Sequence, residues 1–143
     1  MEIDALYSGI ITEHSRSERN KRHLANPTVV RQGLNPSCGD ELSLELRCED
    51  GVITDASFVG VGCAISQASA SMMTDIIRGK SREEAGALCR AFLDMIRGRE
   101  LDDATLDSLE DAVALQGVSK MPARVKCATL PWHTLNGAID DLT

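Results

Sequence analysis

Aromatic side chains are scarce. Tyr7, Phe58, Phe92 and Trp132 are the only four in 143 residues, so a core has to be assembled from Leu, Ile, Val, Met and Ala. Long apolar runs are missing as well. None approaches the ~20 residues that cross a bilayer, and the chain opens with acids where a signal peptide has bases. A cytoplasmic protein with no membrane role is expected. Basic charge is in deficit, with 15 Lys and Arg against 22 Asp and Glu and a net charge of −7. That argues against nucleic acid as a partner, because phosphate demands a basic surface. The CxxC pair is absent, which removes thioredoxin-like redox chemistry and the zinc ribbon.

Five cysteines are present: Cys38, Cys48, Cys63, Cys89 and Cys127. An odd number at irregular spacing, with no secretory signal, does not make a disulfide framework. Metal binding or sulfur chemistry is the better expectation. The length suits one domain spanning 1–143, large enough for a core without staples. Charge is unevenly spread. Residues 100–111, ELDDATLDSLED, hold six acids and no base, while HSRSERNKRH at 14–23 is locally basic. Each reads as a solvated helix face or as a docking surface; in the second reading Arg16, Arg19, Lys21 and Arg22 contact a partner.

Residues 3–20 are expected to be helical, with Ile3, Leu6, Tyr7, Ile10 and Ile11 on one stripe. Residues 26–40 hold two Asn-Pro pairs and two glycines, which read as turns and extended chain. LSLELRC then alternates Leu42, Leu44, Leu46 and Cys48 with polar residues. Asp50-Gly51 signals a tight turn, and VITDASFVG returns as the second strand of an antiparallel hairpin. AISQASASMMTDIIRG reads as a helix stopped by Gly79. The next helix starts with a capping box, Ser81 to Glu84, and stops at Gly98. A short helix is expected around Leu106, Leu109 and Val113. The last begins near Pro122, and Pro131 inside it predicts a kink or an early break. Strands first and helices afterwards define an α+β fold, a small antiparallel sheet packed against several helices.

The cysteines sort by surroundings. Cys48 and Cys89 fall on apolar stripes and read as small buried hydrophobes. Cys38 sits in a loop between Pro36 and Gly39. Cys63 stands at a helix N-terminus, where free N–H groups favour a thiolate. Cys127 lies in the last helix after ARVK. With Asp40 these three form a candidate Cys3Asp ligand set. Spacing alone also allows the bland reading of scattered, unrelated cysteines. His14, His23 and His133 are expected at the surface. TDIIRGKS at 74–81 only resembles the end of a phosphate-binding loop: Thr74 replaces its first glycine, and it lies within a helix.

Taken together, NPSCGDELSLEL, FVGVGCAISQASASMMTDIIRGKS and ALQGVSKMPARVKCATLPW resemble the IscU/SufU family of iron–sulfur assembly proteins, from about Asn35 to Ile139. Lys126 stands where IscU scaffolds carry a histidine, and residues 80–121 form a longer connection with an extra helical segment. Both features are similar to the SufU branch.

This resemblance implies a zinc ion held by Cys38, Asp40, Cys63 and Cys127. It implies a sulfurtransferase that takes persulfide sulfur from a SufS-type cysteine desulfurase, a pyridoxal-phosphate enzyme. The sulfur would then pass to downstream Suf assembly proteins. Cys38 is implied as the acceptor, freed when a histidine of the desulfurase replaces it on zinc. Arg124 is implied to help that exchange. Zinc would hold the thiol as thiolate, the form that exchanges with a persulfide. Three thiolates and a carboxylate around Zn2+ total −2, which Arg124 and Lys126 would offset. Two alternatives remain open: a scaffold for a [2Fe–2S] cluster on the same cysteines, and an adaptor with structural zinc that only stimulates the desulfurase.

Overall fold

The computed structural model describes residues 5–37 and 39–142. Helix α1 (Ala5–Arg16) leads into strands β1 (Val29–Asn35), β2 (Asp40–Glu49) and β3 (Val52–Val61). Helices α2 (Ala64–Ile77), α3 (Arg82–Ile96) and α4 (Asp103–Ser108) follow, then a 3-10 segment (Glu110–Lys120) and α5 (Pro122–Asp140). Among the described residues the sheet is antiparallel, in the order β1-β2-β3, with helices packed on it, as the α+β reading expects.

The hairpin forms where the sequence signals it. Asp50 and Gly51 take φ of 53° and 78°, the paired positive values that a right-twisted two-residue turn requires. Leu42, Leu44 and Leu46 point into the core, all buried. A bulge between Arg47 and Cys48 ends the strict alternation, and Cys48 is only half-buried. The helix-side core gathers Met72, Met73 and Ile77 of α2, Phe92 and Ile96 of α3, Leu115 of the 3-10 segment and Trp132 of α5. Phe92 and Trp132 stack with ring centres 4.4 Å apart. The capping box of α3 is complete: Glu84 N–H donates to the Ser81 hydroxyl, and Ser81 N–H to the Glu84 carboxylate.

Three expectations need correction. Helix α1 ends at Arg16, not at 20; Ile3 of its predicted stripe lies outside the described residues. The chain leaves the helix because Asn20 is drawn to β3. Its carbonyl accepts the Phe58 N–H at 2.9 Å, and its side-chain amide donates to Ser71 O and Asp75. Residues 17–28 thus form a strap against the sheet. Second, the predicted two-stranded hairpin has a third strand beside it: the stretch read as turns and extended chain holds β1, paired to β2 from Val29↔Leu46 to Asn35↔Asp40. Third, α5 is not broken at Pro131, which lies buried inside it. The Ser69 hydroxyl donates to Ala128 O at 2.6 Å, and the Trp132 indole N–H donates to Ser69 at 3.0 Å. The Ser69 side chain thus ties this part of α5 to α2.

Candidate metal centre

The hairpin has arms of nearly equal length about the Asp50–Gly51 turn, so its register returns the end of β3 to the start of β2. Glu41 pairs with Val61, and Asn35 of β1 pairs with Asp40. Cys63, two residues beyond Val61, is thereby delivered beside Asp40 as the N-cap of α2. Cys127 reaches the same place from the second turn of α5. One oxygen of Asp40 and the sulfurs of Cys63 and Cys127 lie within 4.8 Å of one another. Around a tetrahedral zinc with Zn–S of ~2.3 Å, neighbouring ligand sulfurs sit ~3.8 Å apart. Two thiols and a carboxylate at this separation therefore fit one ion after a small inward movement. Cys38 lies outside the described residues. Ser37 and Gly39 on either side of it belong to the turn between β1 and β2, with Gly39 at φ 73°.

Asp40 is 1% exposed, and a carboxylate at that depth needs donors or a cation. Its Oδ1 accepts the backbone N–H of Cys63 at 3.1 Å and the Ser66 hydroxyl at 3.2 Å; its Oδ2 accepts the Asn35 amide at 3.3 Å. The Ser37 hydroxyl in turn donates to Asn35 Oδ1 at 2.9 Å. Cys127 is buried and Cys63 half-buried. Cys63 has extended backbone at φ −74°, ψ 170° and makes no side-chain capping bond; as the N-cap it stands at the positive end of the α2 dipole. Arg124 and Lys126 are exposed on the first turns of α5. Sequence reasoning missed Asn35 and Ser66. Nothing marks them except position, one in the Asn-Pro turn and one a helical turn after Cys63.

The remaining cysteines behave as hydrophobes. Burial pushes the Cys89 thiol up to about 12 and raises that of Cys48, against the nearby positive charge of Arg82. Cys89 Sγ–H points at Trp132 O at 3.6 Å. His23 and His133 are exposed, as expected. His14 is not: it is 3% exposed, with Nδ1 2.9 Å from Ser71 Oγ and Nε2 2.9 Å from Asp111. Its spacing from Ile10 and Ile11 put it on the buried stripe of α1, a signal that outweighs its polarity.

The basic stretch faces acids of its own chain. Arg19 pairs with Asp75, Arg22 with Asp55 at 2.8 Å, and Lys21 donates to Ser15 O. These bonds hold the strap, which leaves exposed Arg16 as the residue of that stretch best placed for a partner. Most of the acidic residues of 100–111 remain exposed. No described helix is long and apolar enough to cross a membrane.

The chain matches the NifU-like N terminal domain family over residues 6–91. It is 46% identical over 137 residues to the zinc-dependent sulfurtransferase SufU of Bacillus subtilis, covering 96% of this chain and 91% of that one. It is 39% identical to the iron–sulfur cluster assembly scaffold protein IscU of Thermotoga maritima, over 100% of this chain and 99% of the relative. A crystal structure from Fervidobacterium islandicum AW-1, described as an iron–sulfur cluster assembly scaffold protein for the SUF system, superposes with a TM-score of 0.87. It is 36% identical, covering 94% and 96% of the two chains. The N-terminal part of a nitrogen-fixing NifU-like protein from Brucella abortus matches with a TM-score of 0.85 at 25% identity, over 98% and 96%.

Proposed function

The chain belongs to the NifU-like N-terminal domain family, with the SufU and IscU proteins of iron–sulfur cluster assembly, and on that premise we propose that it is a zinc-dependent sulfurtransferase. It accepts persulfide sulfur from a SufS-type cysteine desulfurase and relays it to downstream Suf assembly proteins. The observation that carries this reading is the convergence of Asp40, Cys63 and Cys127, with Cys38 two residues before Asp40 in the sequence. Exposed Lys126 precedes Cys127 where a scaffold has histidine, and His14, His23 and His133 lie outside the cluster.

When bound, zinc would be held by Cys38, Asp40, Cys63 and Cys127 and would keep their sulfurs ionised without changing oxidation state. The transfer itself belongs to Cys38. Its thiolate attacks the terminal sulfur of the desulfurase persulfide. The S–S bond to the donor cysteine breaks, that cysteine leaves as a thiolate, and one new S–S bond forms on Cys38. No electrons enter or leave. Asp40, Cys63 and Cys127 sit on a strand, a helix cap and a helix, elements that would hold them in place while Cys38 reacts. Arg124, one turn before Cys127, offsets negative charge at the site and assists the exchange.

The full-length likeness to a relative named as a scaffold favours a second reading, a site on which a [2Fe–2S] cluster is assembled by the same cysteines. Transfer of labelled sulfur from a cysteine desulfurase, with metal quantified in the same anaerobic sample, separates the two. One zinc per chain and label on Cys38 is the expected result. Iron with acid-labile sulfide and an unlabelled Cys38 establishes the scaffold. Cys38→Ala is expected to abolish labelling and stimulation together; stimulation that survives in the folded variant identifies an adaptor instead.

A further inference from the structure

Three residues that take no part in sulfur chemistry enclose the Asp40 carboxylate. Its Oδ1 already accepts two hydrogen bonds, from Cys63 N–H and the Ser66 hydroxyl. Its Oδ2 accepts one, the 3.3 Å bond from Asn35. A carboxylate oxygen has about two lone-pair sites, so the donors named here fill Oδ1 with two bonds and give Oδ2 one. The Ser66 hydroxyl also lies 3.0 Å from Cys63 O. It has a single proton and two acceptors, and Cys63 O is already satisfied by the Gln67 N–H at 3.0 Å. The proton therefore goes to the carboxylate, where a bond to charge is the stronger one.

Gly62 completes the enclosure. A Cβ there would collide with Ser66 Oγ and stand 2.7 Å from Asp40 Oδ1. Its φ is not positive, so glycine is required for space and not for backbone conformation. The second glycine of GVGC is thus explained by the closeness of the serine and the carboxylate.

We propose that Ser66, Asn35 and Gly62 are positioning residues that commit Asp40 to the metal through Oδ2, by filling Oδ1 with donors and fixing the plane of the carboxylate. Through Asn35 the same carboxylate is linked to the Ser37 hydroxyl. The inference rests on the metal-site reading above and goes beyond it in naming what orients the oxygen ligand.

The test compares wild type, Ser66→Ala and Ser66→Thr in competition for zinc against a chromophoric chelator. Cobalt-substituted spectra and thermal unfolding of the metal-free proteins are recorded alongside. Ser66→Ala is expected to weaken zinc binding about 10–100-fold, the usual effect of removing a group that orients a ligand. Ser66→Thr, which retains the hydroxyl, is expected to recover most of that loss. The Ser66→Ala cobalt spectrum should shift, reporting an altered oxygen ligand. The metal-free Ser66→Ala protein should stay folded and lose less in stability than in zinc-binding free energy, because Asp40 keeps its Cys63 N–H and Asn35 donors. Equal zinc affinity in wild type and Ser66→Ala overturns the inference alone, as does an affinity loss matched by equal loss of metal-free stability. A wild-type chain that takes up no zinc overturns the metal-site reading, and this inference with it.

Discussion

At the scale of single residues, the four described cysteines separate into two chemical kinds by their surroundings. The sequence placed Cys89 beside Phe92 on an apolar stripe, and it lies fully buried in the core. Cys63 and Cys127 stand with Asp40. The burial of Cys89 was legible because burial follows periodicity. The donors to Asp40 were not legible, because a serine or asparagine carries no pattern that reports which oxygen it faces. Cys89 has a measurable consequence at alkaline pH. In the unfolded chain its thiol ionises near 9.0; burial delays that in the folded protein to about 12. Below pH 9 both states are protonated and the contribution is fully present. Between about 9 and 12 only the unfolded state releases its proton, so stability falls as pH rises, by up to ~1.4 kcal/mol per pH unit. Cys89→Ala should flatten that alkaline limb in urea denaturation while costing ~1 kcal/mol at neutral pH, and should leave sulfur acceptance unchanged. An alkaline limb as steep as in wild type would show that Cys89 is not its source.

At the scale of elements, strong local signals were read correctly and weak ones depended on packing. The Asp50-Gly51 turn and the Ser81–Glu84 box are short-range devices, so sequence alone places them. Strand β1 is an edge strand with an exposed Val30 and Leu34, and Gly33 sits so close to α5 that a Cβ there would meet Thr134. An edge that buries backbone instead of side chains leaves no alternation to read. The strap at 17–28 escaped for a related reason. Its anchor is Arg78 at the end of α2, remote in sequence, whose guanidinium donates to Asp55 at 3.2 Å, Asp75 at 3.3 Å, Ala56 O at 2.7 Å and the Asn20 side chain. A planar fork with several fixed donors cannot be reproduced by an ammonium. Arg78→Lys is expected to destabilise the protein by about 2 kcal/mol and to raise amide exchange at 18–24 first. Wild-type exchange rates in that segment would remove Arg78 from this role. The acid limb carries the same signature. The Arg22 hydrogen bond chiefly holds the Asp55 carboxyl below its ordinary 3.8. At Asp75, burial pushes upward, but the bonds from Arg19 and Asn20 outweigh it and leave the carboxyl lowered. Their stabilisation is therefore present above about pH 4 and lost as pH falls below it.

At the scale of the whole molecule, the candidate metal centre is where segments distant in sequence meet: the start of β2, the cap of α2 and the second turn of α5. Hairpin register accounts for Asp40 and Cys63 coming together, and that register could be read from the sequence. The arrival of Cys127 could not, since it depends on α5 docking across α2 and β1 after 63 intervening residues. A ligand shared among elements stabilises their docking only where they touch. Zinc present at 1,000 times its Kd adds ~4 kcal/mol to the folded state, and chelation should remove that amount. The loss should be uneven. Amide protection is expected to fall at 39–42, 62–66 and 122–128, while the opposite end of the hairpin at 48–53 and the Phe92–Trp132 stack hold, because the apolar core there owes nothing to the site. Hydrogen exchange on chelated and zinc-loaded protein measures this directly. Protection lost equally at both ends of the sheet would mean that the ion governs the whole fold, and that Asp40, Cys63 and Cys127 form a structural staple instead of an exchangeable sulfur site.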